Sequence, residues 1–372
     1  MSNLQLILDE PSATFFPLSP VNGQLIFESI DPIKVKNITI KLFGKAEVKF
    51  SEEINGKLEI YADEEIIIEK DFELWSRIDN EKLAAGKHDF SFKFILPEQC
   101  PPSFIGEKGN INYKLIAKVD VSGEDLEVEE IITVSPMTYI STNSHVICTT
   151  TFNDVNITAG RGRPTFPAAF YTSAKIAYRI FNLNDEIPLS VEISNFSIFP
   201  VESIETGLSW NSNFSGKPHS NDGPAIVDTI KGELDYSNTQ LSIPAGAAST
   251  FEHTLKSTAT LPTVNSCSIL KHNYLVFVRI HFGDSTKVLE FFIPIILSNI
   301  AFHETVEGGE TMLPSESVET GGFPKVTVPQ SQIEQKEQKT EIERNSAVAI
   351  PFDENLSHIE GIVHAPPESL HV

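Results

Sequence analysis

Apolar and polar positions alternate in short runs through most of the first 300 residues. From Gly86 to Phe94, Phe90, Phe92 and Phe94 share one phase while Asp89, Ser91 and Lys93 share the other. That period of two marks a strand with one buried face. A Pro-rich break from Leu96 to Pro102 and a Gly-containing turn follow, and a second alternating run leads through Tyr113 to Val121. The same pattern predicts strands over Gly23 to Phe27, Ile33 to Phe43, Ala46 to Phe50, Glu65 to Phe72 and Leu126 to Val134. Within Ile33 to Phe43 the phase slips at Lys36-Asn37, which predicts a bulge. The pattern restarts at Ser173 to Phe181 and continues over Ile187 to Ile193, Val201 to Trp210, Leu241 to Leu255, Leu275 to Phe282 and Lys287 to Ile296. Strands broken by Gly, Pro and Asn, without helical periodicity, predict β-sandwiches rather than a βαβ fold.

The second half echoes the first. Ala85-Gly86 precedes a strand, Leu96-Pro97 and a strand led by Tyr113; Ala245-Gly246 precedes a strand, Leu261-Pro262 and a strand led by Tyr274. Spacing and turn chemistry agree together, which points to an internal duplication. The expected organisation is all-β: two tandem immunoglobulin-like β-sandwich domains over 1–145 and 146–302, with 146–170 as a linker, and a tail over 303–372. The tail holds 13 Asp/Glu against 4 Lys/Arg, a net of −9. It is poor in aromatics, so it cannot bury enough apolar surface to offset chain entropy and is expected to be disordered.

Composition narrows the function classes. The chain has 372 residues, with 25 Phe, 23 Pro and 20 Gly, a mix that favours strands and turns. A formal net charge of −23 argues against nucleic acid as a partner, which needs clustered Lys and Arg. The three cysteines, Cys100, Cys148 and Cys267, form neither a disulfide framework nor a metal-ligand spacing, and fit a reducing compartment. The N-terminus has no basic region ahead of its apolar stretch and is not read as a signal peptide. The longest apolar run, Phe291 to Leu297, is too short to span a bilayer.

Catalytic patterns are absent: there is no GxSxG, HExxH or CxxC, and no phosphate-cradling glycine motif. His88, His253, His272 and His281 fall on or beside strands, where surface or satisfied-core roles are expected. Asp63-Glu64-Glu65 reads as a solvated turn, and Cys100 has no neighbouring His to activate it. No catalytic residue, cofactor or metal ligand is assigned. Arg161 and Arg163 stand out in the linker of an acidic chain; their planar forks suit an acidic or phosphorylated partner, against the reading of a solvated loop. In the tail, AVAIPFDENL (Ala347 to Leu356) is an apolar island, a candidate linear motif or added strand.

The stretch Ala84 to Val121 resembles the N-terminal domain of the alpha-arrestin (arrestin domain-containing) family at Gly86, His88, Phe90, Phe92, Phe94, Leu96, Pro97, Ser103, Phe104, Gly106, Gly109 and Tyr113. Leu261 to Phe282 resembles a segment of the family's C-terminal domain at Pro262, Cys267, Ile269 and Tyr274. The resemblance implies the arrestin fold and a non-enzymatic cytoplasmic adaptor, at the plasma membrane or endosomes. Such an adaptor couples cytoplasmic segments of membrane proteins to endocytic coats, sorting or ubiquitin ligases. The alternative it leaves open is a constitutive arrestin-fold subunit of a retromer-like coat. Ile350, Phe352 and Asp353 resemble a degenerate clathrin-box pattern. Many alpha-arrestins carry Pro-Pro-x-Tyr in the tail; here Pro366-Pro367-Glu368-Ser369 has Ser where Tyr is needed.

Overall fold

A computed structural model describes residues 2–77, 82–121, 125–141, 169–176, 178–219, 223–283 and 288–303. All nineteen elements among them are strands. In the first sandwich, β1 (Ser2–Leu8), β3 (Pro20–Ser29) and β6 (Gly86–Ile95) form an antiparallel sheet in the order β1-β3-β6. The facing sheet runs β2-β9-β8-β4-β5, from β2 (Thr14–Phe15), β9 (Leu126–Val134), β8 (Gly109–Val121), β4 (Val35–Ile54) and β5 (Lys57–Ser76), and the short β7 (Phe104–Ile105) also pairs with β8. After β10 (Met137–Ser141) the second sandwich repeats this plan. Its small sheet is β11 (Ala169–Ile176), β13 (Glu186–Phe196) and β16 (Ala247–Lys256). Its large sheet is β12 (Ile180–Phe181), β18 (Val288–Leu297), β17 (Leu270–Phe282), β14 (Val201–Pro218) and β15 (Ile226–Ile243). Even the parallel pairing of β2 on β9 recurs as β12 on β18. Finally β19 (Asn299–His303) pairs parallel with β10.

The alternation becomes the two cores. Phe92 and Phe94 are buried with Leu25, Phe27, Ile40 and Leu42, while Lys93 and Asp89 are exposed. Ile187, Leu189, Val191 and Ile193 close on Val276, Val278, Ile280 and Ile293 in the second core. The Pro-rich segment after β6 carries the chain from the small sheet to the large one, as its position between the two alternating runs implies. The expected slip at Lys36-Asn37 is present as a register shift against β8 between Val35 and Asn37.

Several strands differ from the pattern. Ala46 to Phe50 and Glu65 to Phe72 are not separate elements. Together with the strand before them they form one long hairpin, β4–β5, turned by Asn55 and Gly56 at φ 53° and 75°. Two consecutive positive φ angles at Asn-Gly define the tight turn that matches strand twist. The strand read as Ile33 to Phe43 runs on through Gly44 to Ile54. Leu241 to Leu255 is broken at Gly246, φ 82°, into β15 and β16. Ser173 to Phe181 divides into β11 and β12.

The two large sheets meet edge to edge. Tyr61 and Ala62 of β5 pair antiparallel with Pro218 and Lys217 of β14, so one strand order runs through both sandwiches. The first core also takes in Phe214, Val264, Cys267, Ile269 and Leu270 from the second half of the chain.

Candidate functional site

Part of both motifs, including Phe104, Gly109, Cys267 and Ile269, lies where the sandwiches join. Tyr113 on β8 donates its hydroxyl to the Pro101 carbonyl at 2.6 Å and accepts the Cys100 thiol at 3.2 Å. Its ring lies so close to Gly44 that a Cβ there would sit 2.3 Å from Tyr113 Cδ1. That close approach coincides with a register shift of β4 on β5 between Gly44 and Lys45. Tyr274 on β17 repeats the device, donating to the Leu261 carbonyl at 2.8 Å. In each sandwich a buried Tyr thus pins the Leu-Pro break upstream of it, as a tyrosine corner does. Burial pushes both phenols up, so both stay protonated donors.

Phe104 on β7 is buried and its ring meets His272 of β17 at 5.4 Å. Gly106 gives that ring room: a Cβ would lie 2.5 Å from Phe104 Cε1. At Gly109 a Cβ would lie 2.8 Å from the Glu47 carbonyl and 3.1 Å from both Leu270 Cδ1 and Phe214 Cδ1. The second sandwich therefore enters the space that this glycine leaves open. Pro262 and Cys267 are buried on the segment that leads into β17. Gly86 differs: with φ +126° and open space beside it, it serves the turn into β6, as Gly246 serves the turn into β16.

Polar contacts frame this apolar contact. Glu65 Oε2 accepts the Ser268 amide at 2.7 Å, the Ser268 hydroxyl at 2.6 Å and the Cys267 thiol at 3.4 Å. Burial alone would raise the Glu65 pKa, but the Ser268 hydroxyl and amide, the Cys267 thiol and the Ile269 amide together outweigh it and hold the carboxyl below its ordinary value. Asp63 pairs with Lys217 at 3.3 Å, and Lys108 with Asp228. The run Asp63-Glu64-Glu65 is therefore not a solvated turn. It lies within β5, and two of its carboxylates reach the second sandwich because that strand is the sheet edge at the joint.

His272 is 2% exposed. Its Nδ1 is 2.7 Å from the Ser212 hydroxyl, its Nε2 is buried without a partner, and rings of Phe104, Trp210 and Tyr274 surround it. Burial lowers its pKa to about 4, so it is neutral at pH 7. The other three histidines have polar neighbours, Ala84 O for His88, Thr206 for His253 and Glu205 for His281. Burial pushes the Cys267 thiol up to about 11 and also raises Cys100, so neither is a thiolate nucleophile at neutral pH. Among the described residues no group of three or more His, Cys, Asp or Glu is placed to hold a metal ion. No helix there is long and apolar enough to cross a membrane.

Sequence reading placed Phe104, Gly106, Gly109, Tyr113, Pro262, Cys267 and Tyr274 as motif residues; the structure gives the neighbours of all but Pro262, which is buried. That reading did not single out Phe214 or Leu270, and it read Glu65 as part of a solvated turn and His272 as a surface or satisfied-core histidine. One signal was available: His272 falls in phase with Leu270 and Tyr274 on an alternating strand, a polar residue at an inward position. Arg161, Arg163, Cys148, Ile350, Phe352, Asp353 and the acidic tail lie outside the described residues.

Residues 4–141 match the arrestin (or S-antigen) N-terminal domain. Arrestin domain-containing protein 17 of Caenorhabditis elegans is 26% identical over 128 residues, which cover 30% of this chain and 29% of that protein. The match thus spans less than a third of the relative's length. The all-β architecture, with its two related sandwiches, is consistent with an arrestin fold throughout the described residues.

Proposed function

We propose that this arrestin-domain chain is a non-enzymatic cytoplasmic adaptor. It links cytoplasmic segments of membrane proteins to endocytic sorting, protein transport or ubiquitination machinery. The reading rests first on the arrestin N-terminal domain over residues 4–141. The geometry supports it: the motif residues serve turns, the pinning of loops within each sandwich and the joint between them, which leaves recognition to surfaces and to the tail. Among the described residues the last strand is β19, whose pairing with β10 runs to His303.

The test is an affinity capture from eukaryotic cytosol with the full chain and with a chain ended after His303, so that β19 is kept. The adaptor reading expects transport adaptors, coat proteins or ubiquitin ligases that the shorter bait loses. One stable partner held in near-stoichiometric amount by both baits would instead make the chain a coat subunit. Neither kind of partner on either bait would remove the reading.

A further inference from the structure

Glu65 belongs to the first sandwich and Ser268 to the second, 203 positions apart. Ser268 is exposed, on the irregular segment ahead of β17, and its hydroxyl points at the Glu65 carboxylate. One carboxylate oxygen gathers the hydroxyl, the amide and the neighbouring Cys267 thiol. The next residues, Ile269 and Leu270, are buried in the first core, and the Ile269 carbonyl accepts the Ser215 amide of β14 at 2.8 Å. The contact therefore latches the segment by which the second sandwich plugs into the first. Lys217, a cation of the second sandwich beside this stretch of β5, is engaged by Asp63.

We propose that Ser268 is a phosphorylation site and that a phosphoryl group on it opens the latch. A protein kinase would transfer the γ-phosphoryl group of a nucleoside triphosphate to Ser268 Oγ. The bond from the γ-phosphorus to the bridging oxygen breaks, the Oγ–P bond forms, the hydroxyl proton passes to the kinase's base, and the nucleoside diphosphate leaves. The product has lost the hydroxyl donor and carries a charge of about −1.5 to −2 against an ionised carboxylate. Like charges at that range repel, and the Ser268 and Ile269 amides that now serve the Glu65 carboxylate alone would be contested by both anions. The segment that carries Ile269 and Leu270 would then be released from β5. This regulation concerns the body itself and holds whichever partner the chain serves.

Two measurements on the full chain test it. The first compares hydrogen exchange over residues 60–65 and 267–270 in the wild type, Ser268→Ala, Glu65→Gln, and the wild-type and Glu65→Gln chains carrying phosphoserine installed at position 268. Phosphoserine is expected to speed exchange there by about tenfold or more, the scale of one lost charge-assisted hydrogen bond. Ser268→Ala, which keeps the amide bond to Glu65, should change it less. In the Glu65→Gln background the added effect of the phosphate should shrink to the alanine level. Phosphoserine no faster than alanine, or a phosphate effect undiminished by Glu65→Gln, would overturn the latch. The second measurement is phosphopeptide mass spectrometry of the chain recovered from eukaryotic cells under phosphatase inhibition. Phosphate at Ser268 is expected; phosphate confined to other positions, or none, would overturn the assignment.

Discussion

Gly109 offers the sharpest test of the joint, because a single methyl group probes both sandwiches at once. In Gly109→Ala the new Cβ would meet the Glu47 carbonyl at 2.8 Å and the Leu270 and Phe214 methyl and ring carbons at 3.1 Å. Glu47 O belongs to the backbone of β4, which the ladder to β8 holds in place. It cannot swing aside as a side-chain end can. Phe214 and Leu270 are 1% and 0% exposed, so they too have little room. Overpacking of this kind costs about 1–3 kcal/mol. Loss of glycine freedom in the unfolded chain offsets about 0.4–1 kcal/mol of that, which leaves a net destabilisation of about 1.3 kcal/mol at the middle of the two ranges. The assay is urea unfolding of the full chain, read as a lowered midpoint at constant slope. A second variant, Phe214→Leu, removes ring atoms from the far side of the contact. The double variant should be less destabilised than the sum of the singles by about 0.5 kcal/mol or more, the coupling expected of residues in contact. A midpoint for Gly109→Ala equal to or above that of the wild type would refute the packing argument. Strict additivity with Phe214→Leu would refute the contact across the joint.

Tyr113→Phe and Tyr274→Phe should each cost about 1–3 kcal/mol in the same assay, because each strands a backbone carbonyl in its sandwich; a cost at only one would break the parallel between the halves. Glu65→Gln should lower stability at pH 7 and flatten its acid dependence. The Glu65 pKa is lowered from 4.5 in the fold, so its contribution is full above that value and is lost as pH falls through the folded pKa; acid unfolding curves of the two proteins that stay parallel below pH 4.5 would contradict this. His272, with its pKa lowered from 6.5 to about 4, binds a proton more readily when unfolded, so stability should fall by about 3 kcal/mol as pH drops from 6.5 to 4. His272→Phe should remove that part of the fall, and an unchanged pH profile would show that the imidazole is not the buried neutral group described here.

The strongest strands were legible because each is buried on one face and polar on the other. Gly86 to Ile95 and Leu126 to Val134 show that amplitude in the sequence, and so does the echo between Tyr113 and Tyr274. The β4–β5 hairpin was not, although Asn55-Gly56 is a strong turn signal. Beyond Val48 of β4 the ladder to β8 has ended, and most of the hairpin tip is exposed on both faces, so Ser51 to Leu58 show no clean alternation. The edge strand β15 was missed for a related reason: few of its positions are fully buried, so its alternation is shallow. At the joint, Tyr113 and Cys267 were found as motif positions. Glu65 was read as a turn because its partner, Ser268, lies 203 positions away, and no local pattern records a contact at that separation.

The central claim is that the motif residues weld the two sandwiches into one cooperative body. The chain has two tryptophans, Trp75 on β5 and Trp210 on β14, one in each sandwich. Urea unfolding followed by fluorescence in Trp75→Phe and in Trp210→Phe reports each sandwich separately, and each curve is compared with the far-ultraviolet dichroism of the same variant to remove the effect of the substitution. Coincident curves in both variants are predicted, with the midpoint moving together at both probes when Gly109→Ala is added. Two separated transitions, or a shift confined to the probe in one sandwich, would contradict the account.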